Sequence, residues 1–204
     1  LYSADKVNEL PEVIDENLVP PTHAGSVAAV TFNNRANLLA AGTTNGTILL
    51  YDFATYAVAK TLLATAAHPE QAEITALSFT RSSRRLLSAD VAGALIMWDV
   101  LNGLPIATTS LGAPVTSAMM HPRKRRCSLV CTAPTEGRRA RVYLQFWEAL
   151  LPVKELEVRD HGGDEPSASA RREPPIVARL DALGARVVIA VGAGVLQVSS
   201  VGAG

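Results

Sequence analysis

The chain has 204 residues, 48% of them hydrophobic and 19% charged, and its basic and acidic residues balance to a formal net charge of zero. That is ordinary globular composition, long enough for a sizeable core, and it supplies no global drive toward nucleic acid or a membrane surface. No run of about 18 apolar residues occurs, so no membrane span is expected, and Leu1-Tyr2-Ser3-Ala4-Asp5 lacks the basic and apolar regions of a signal peptide.

Without a leading Met, the chain is expected to be trimmed or a fragment. Residues 1–22 are acidic and carry Pro11, Pro20 and Pro21, which predicts an irregular lead-in ending at the double proline. Four strands are then expected. Ser26 to Phe32 is the first, Asn33-Asn34-Arg35 a turn, and Leu38 to Ala41 the second. Thr44-Asn45-Gly46 predicts a type I′ hairpin turn, because Asn and Gly tolerate its two positive φ angles. Thr47 to Tyr51 and Tyr56 to Leu62 follow.

The next segment repeats this order. Ile74 to Phe79, Arg85 to Ala89, Ala94 to Trp98 and Pro105 to Ser110 are strands, with Arg81-Ser82-Ser83-Arg84 as the first turn. Leu86 to Asp99 is the clearest copy of the unit: strand, turn at Gly93, then a strand ending in Trp98-Asp99. Leu39 to Asp52 is a weaker copy ending in Tyr51-Asp52, and the pairs Gly46/Gly93 and Asp52/Asp99 are each 47 residues apart. A hairpin unit of this length ending in Trp-Asp is the signature of a WD40 propeller blade.

A degenerate third unit runs from Val115 through strands at Ser128 to Thr132, Val142 to Phe146 and Pro152 to Val158. Trp147-Glu148 stands near its Trp-Asp position but aligns poorly. Residues 159–175 are polar and rich in Gly, Pro and Ser, which predicts a mobile surface loop. Ile176 to Asp181, Arg186 to Val191 and Val195 to Val198 begin a fourth unit. The expected fold is therefore all-β: a partial WD40 β-propeller of about three and a half blades over residues 23–204. Propellers close at four to eight blades, so a closed ring needs more chain or a second copy.

Cys127 and Cys131 would share one face of a strand about 13 Å apart, too far for a disulfide. They read as reduced core thiols, which fits an intracellular compartment. No second pair supplies a metal site.

Tyr51-Asp52-Phe53-Ala54-Thr55, Trp98-Asp99-Val100-Leu101-Asn102-Gly103, His121-Pro122-Arg123 and Val130-Cys131-Thr132-Ala133-Pro134 occur in order and at suitable spacing. This set resembles the N-terminal half of the retinoblastoma-binding protein 5 family, called Swd1 in yeasts. The resemblance implies a nuclear, non-catalytic scaffold subunit of a Set1/MLL (COMPASS) histone methyltransferase complex, which methylates lysine four of histone three. It implies protein subunits of that complex as partners, with the nucleosome as a candidate further contact, and no cofactor, small-molecule substrate or membrane. In the family the activating, partner-binding segment lies mostly after the propeller.

Tyr51, Asp52, Ser88, Trp98 and Asp99 match the structural WD positions. Ser88 and Trp98 belong to a buried hydrogen-bonded network that fixes blade geometry. His68 is a candidate for its loop His, and Ala92 stands where its turn Asp is usual. Arg123-Lys124-Arg125-Arg126 is the candidate for contact with nucleosomal DNA or a protein partner, against the plainer reading of a solvated loop or part of a localisation signal. Arg138, Arg139 and Arg141 extend it if their hairpin folds back alongside. His23, His68, His121 and His161 are scattered, no nucleophile elbow is present, and Gly192-Ala193-Gly194 reads as a turn, so no enzyme is expected. The alternatives are a WD40 substrate receptor of a cullin-type ubiquitin ligase and a generic WD40 interaction module. The ligase receptors usually carry Arg two residues after the Asp, where this chain has Ala54 and Leu101.

Overall fold

The computed structural model describes residues 25–55, 57–62, 72–124, 126–136, 139–147, 154–156, 176–191 and 195–200. The acidic lead-in and the loop at 159–175 lie outside them, as do His23, His68, His161, Arg125, Arg138 and Gly192-Ala193-Gly194.

Among the described residues, fifteen strands form four antiparallel sheets. The first holds β1 (Val27–Phe32), β2 (Leu38–Thr43), β3 (Ile48–Asp52) and β4 (Ala57–Leu62). The second holds β5 (Ile74–Phe79), β6 (Arg85–Asp90), β7 (Ala94–Asp99) and β8 (Leu104–Ser110). The third holds β9 (Val115–Met120), β10 (Cys127–Thr132), β11 (Arg141–Phe146) and β12 (Lys154–Leu156). The fourth holds β13 (Ile176–Leu180), β14 (Arg186–Val191) and β15 (Val195–Ser200). Every sheet is a meander in chain order, and each strand begins and ends within two residues of its expected limits. The first strands line up: β1 lies against β5, β5 against β9 and β9 against β13. This is a partial propeller whose blades radiate from that inner row.

The central strands explain why blades must stack. Successive side chains of a strand point to opposite faces, yet Leu86, Leu87 and Ala89 of β6 are all fully buried. Leu86, Ile96 and Trp98 pack toward the first blade against Ile48, Leu50 and Leu62. Leu87, Ala89, Leu95 and Met97 pack toward the third blade against Val115, Met120 and Val130. The third and fourth blades meet through Cys127, Leu129, Cys131 and Val142 against Ala178, Val187 and Ile189. Both thiols are free and buried, and burial pushes Cys127 up to about 11 and raises Cys131, so they stay protonated.

Backbone links between strands repeat with the blades. Phe53 N–H donates to Asn37 O at 3.0 Å, Val100 N–H to Arg84 O at 3.0 Å, and Trp147 N–H to Arg126 O at 2.8 Å. That register sets Trp147 level with Val100 rather than with Trp98. Trp98 faces Leu86, two residues before Ser88, and its indole N–H donates to Ser88 Oγ at 2.8 Å. Trp147 stands opposite Arg126, two residues before Ser128, and its indole N–H donates to Ser128 Oγ at 3.0 Å. The contact is alike but the position is not: Met120 pairs with Ser128 as Phe79 pairs with Leu86, so Ser128 stands at the Leu86 position, Gln145 at that of Trp98, and Trp147 two residues beyond it. In the first blade Tyr51 faces Leu39, two residues before Ala41. The hydroxyl partner is lost, and the buried Tyr51 OH has none; burial raises its pKa.

One sequence expectation needs correction. The Thr44-Asn45-Gly46 turn is not type I′: Gly46 alone has positive φ (78°), and its N–H donates to Thr43 O at 3.2 Å. A three-residue loop ending in left-handed Gly leaves Asn45 in an ordinary conformation. Ala92 stands in the turn as expected, and the fully buried Asp90 caps that turn, its Oδ1 accepting Ala94 N–H at 2.8 Å.

The hydroxyls of Ser88 and Tyr51 predict opposite signs. Ser88→Ala strips a buried indole N–H of an acceptor and should cost about 1–3 kcal/mol. Tyr51→Phe removes an unpaired hydroxyl and should be neutral or stabilising by up to about 1 kcal/mol. Urea unfolding midpoints of the two variants check both.

Candidate partner-binding face

The residue after each inner strand is polar, and its side chain builds the turn that follows. Asn33 Oδ1 accepts Asn37 N–H and Leu38 N–H, both at 3.1 Å. Thr80 Oγ1 accepts Arg85 N–H at 3.2 Å. Asp181 Oδ1 accepts Ala185 N–H at 2.7 Å and Arg186 N–H at 3.3 Å. His121 does the same with a ring nitrogen: Nδ1 accepts Lys124 N–H at 2.9 Å and Arg123 N–H at 3.1 Å. Local side-chain acceptors of this kind compete well with water for turn amides. In three of the turns the third residue after the cap is left-handed: Ala36 (φ 53°), Ser83 (φ 58°) and Gly184 (φ 69°).

The turns touch one another. Asn34 Nδ2 donates to Arg81 O at 2.8 Å, joining the first two blades. His121 Nε2 lies 3.0 Å from Gly184 O, joining the third and fourth. With Nδ1 accepting, Nε2 carries the proton and donates. A Cβ at Gly184 would lie 2.0 Å from the ring, so only glycine fits.

Arg123, Lys124 and Arg126 therefore sit on the β9–β10 turn, with both arginines exposed and Lys124 half-buried. They have basic company that sequence reasoning did not single out. Arg35 occupies the β1–β2 turn, Arg81 and Arg84 the β5–β6 turn, and Arg85 begins β6. The signal was available as a turn position recurring with the blades. Arg139 and Arg141 do not extend this cluster: Arg141 pairs with Thr132, at the far end of β10 from Arg126. Three cavities lie between the turns. One of about 470 Å³ is lined by Arg35, Thr80, Ser82, Arg84, Arg85 and Arg126. Beside it, cavities of about 320 and 740 Å³ share Arg81, His121 and Arg123.

The carboxylates near these turns serve the backbone. Asp52 Oδ1 accepts Ala54 N–H at 2.9 Å, and Asp99 Oδ1 accepts Asn102 N–H at 2.9 Å. They are local caps at the ends of β3 and β7. Among the described residues, no three His, Cys, Asp or Glu side chains converge as metal ligands would.

Burial lowers the His121 pKa below its ordinary 6.5, helped by Lys124 and opposed by the Gly184 carbonyl and Asp181. As pH falls through about 6.5 the unfolded chain takes the proton first, so stability should drop below that pH and level off below the folded pKa. His121→Gln should flatten this part of the profile, as read by unfolding midpoints between pH 7.5 and 5 (about the range over which histidine titrates). Gly184→Ala should destabilise by more than about 1 kcal/mol, by left-handed strain and loss of the ring's place, measured in the same way.

Comparison with known proteins places this architecture. The family profile of the Vps8 beta-propeller matches residues 13–111. Protein RBL of Arabidopsis thaliana is 33% identical over 155 residues, which is 74% of this chain and 27% of that protein. Retinoblastoma-binding-like protein E of Dictyostelium discoideum is 31% identical over 127 residues, 61% of this chain and 23% of that protein. The Set1 complex component swd1 of Schizosaccharomyces pombe is 28% identical over 109 residues, 53% of this chain and 26% of that protein. The match thus spans about a quarter of each relative. The Cps50 (Swd1) β-propeller domain of Myceliophteria thermophila superposes with a TM-score of 0.68 at 23% identity, over 87% of this chain and 52% of that one. Blades, register and relatives agree: the chain is a WD40-repeat β-propeller segment similar to the retinoblastoma-binding protein 5 and Swd1 proteins.

Proposed function

We propose that the chain belongs to a non-catalytic scaffold subunit of a Set1-type histone methyltransferase complex, working in the nucleus on histone three. The observation that carries this is the likeness to a relative named as a Set1 complex component, together with likeness to two retinoblastoma-binding homologues. The architecture suits the role. Blades stacked on an inner row present rigid turns at both ends, which is how propellers hold several partners at once without chemistry of their own. Tyr51, Asp52, Ser88, Trp98 and Asp99 serve that rigidity. The basic turn at Arg123, Lys124, Arg125 and Arg126 is the contact with an anionic partner, DNA phosphate on the nucleosome or an acidic protein surface.

Affinity purification of the tagged intact protein from nuclear extract tests the assignment. A SET-domain methyltransferase and its companion propeller subunits should co-purify in near-equal amounts. Recovery of a cullin adaptor in their place overturns it.

A further inference from the structure

The arginines at the inner turns come from three different blades and converge on three adjacent cavities. Arg35 is from the first blade, Arg84 and Arg85 are from the second, and all three line the 470 Å³ cavity with the Ser82 and Thr80 hydroxyls. Arg81 of the second blade and Arg123 of the third line the two cavities beside it, over a floor that includes Met120. Among the described residues no carboxylate lines any of the three cavities. The carboxylates of Asp52, Asp99 and Asp181 are engaged by amides of their own turns. The chain is neutral overall, so this sector concentrates positive charge that the rest of the molecule offsets elsewhere.

The shape selects the ligand. Cavities of a few hundred Å³ take side chains and single extended segments. A duplex offers its phosphates along a broad convex backbone and would meet only the rim. Apolar floor residues such as Met120 and the partly buried Pro122 also suit a peptide better than a phosphodiester. We infer that the recess between the β1–β2, β5–β6 and β9–β10 turns is a docking groove for an acidic linear peptide, with Arg35, Arg84 and Arg85 holding one carboxylate group and Arg81 and Arg123 another. Bidentate guanidinium–carboxylate pairing gives such a site both affinity and orientation. The inference rests on the basic turn being a contact surface; it does not depend on membership of the methyltransferase complex.

Fluorescence anisotropy on the intact protein tests it, using a labelled peptide of about a dozen residues with Glu interleaved with Leu and Ser. The peptide should bind saturably and weaken as salt rises. Arg35→Glu, Arg84→Glu and Arg123→Glu combined should weaken it at least tenfold (about 1.4 kcal/mol), while Lys60→Glu on outer strand β4 leaves it unchanged. A Lys-substituted peptide should gain affinity for the triple variant, a result that misfolding cannot produce. The inference is overturned if the reversals leave binding unaltered. It is also overturned if a DNA duplex of about 20 base pairs binds more tightly and displaces the peptide, which would leave the basic turn as a nucleic-acid contact. Failure of both ligands to bind removes the basic turn as a contact surface altogether, and leaves the scaffold assignment to the co-purification above.

Discussion

No sheet in this molecule can shelter its own apolar surface. β6 and β7 are buried on both faces, and their two sets of side chains belong to two different interfaces, one with each neighbouring blade. Stability is thus held between blades, as in other repeat architectures. The first blade shows the consequence on its other flank. Ala41, Leu49 and Tyr51 form an apolar set facing away from the second blade, and Val27, Val30 and Phe32 on β1 are exposed, Val30 by 62%. Among the described residues no further sheet packs there.

The polar groups do different work. Trp98 on Ser88 and Trp147 on Ser128 each tie the third strand of a blade to its second, within an interface that is otherwise apolar. A buried indole N–H needs an acceptor, so the hydroxyl fixes register where dispersion alone would allow slippage. Tyr51 and Ala41 stand at the positions of Trp98 and Ser88 with that constraint relaxed. At the inner turns, Asn33, Thr80, His121 and Asp181 are chemically unlike, yet each offers an acceptor atom near the start of the turn. What recurs is the hydrogen bond rather than the residue.

This explains which parts of the structure could be read from the chain. Strands were legible because alternating β-branched and apolar runs between Gly and Asn turns leave few alternatives, and the 47-residue spacing of Asp52 and Asp99 exposed the blade. Trp147 aligned poorly in the sequence because it stands two residues beyond the Trp98 position in register, and it reaches the Ser128 hydroxyl from there. His121 looked like a stray loop histidine because its equivalents are Asn, Thr and Asp; only the shared geometry relates them. The Arg123 run stood out as consecutive charge, whereas Arg35, Arg81 and Arg84 were hidden by their separation in sequence and became a cluster only when the turns were brought to one end.

That clustering is sectoral, and the sector follows from the turns themselves. The fourth inner turn, Asp181-Ala182-Leu183-Gly184-Ala185, carries no cation until Arg186 at the start of β14. Its cap is the only anionic one of the four, and it lies against His121, which burial keeps neutral. Positive charge therefore rises from the fourth blade toward the second and third and is strongest where Arg81, Arg84, Arg85 and Arg123 flank the recesses. The left-handed backbone at Ala36 and Ser83 costs energy that glycine would spare. In both turns an arginine is the immediate neighbour of the strained residue, Arg35 before Ala36 and Arg84 after Ser83. A stiffer turn restricts where the guanidinium can go, which lowers the entropy lost when an anion is held. A ring of stacked blades thus offers each turn a fixed place, and three of the four turns use it to aim charge at the same recess.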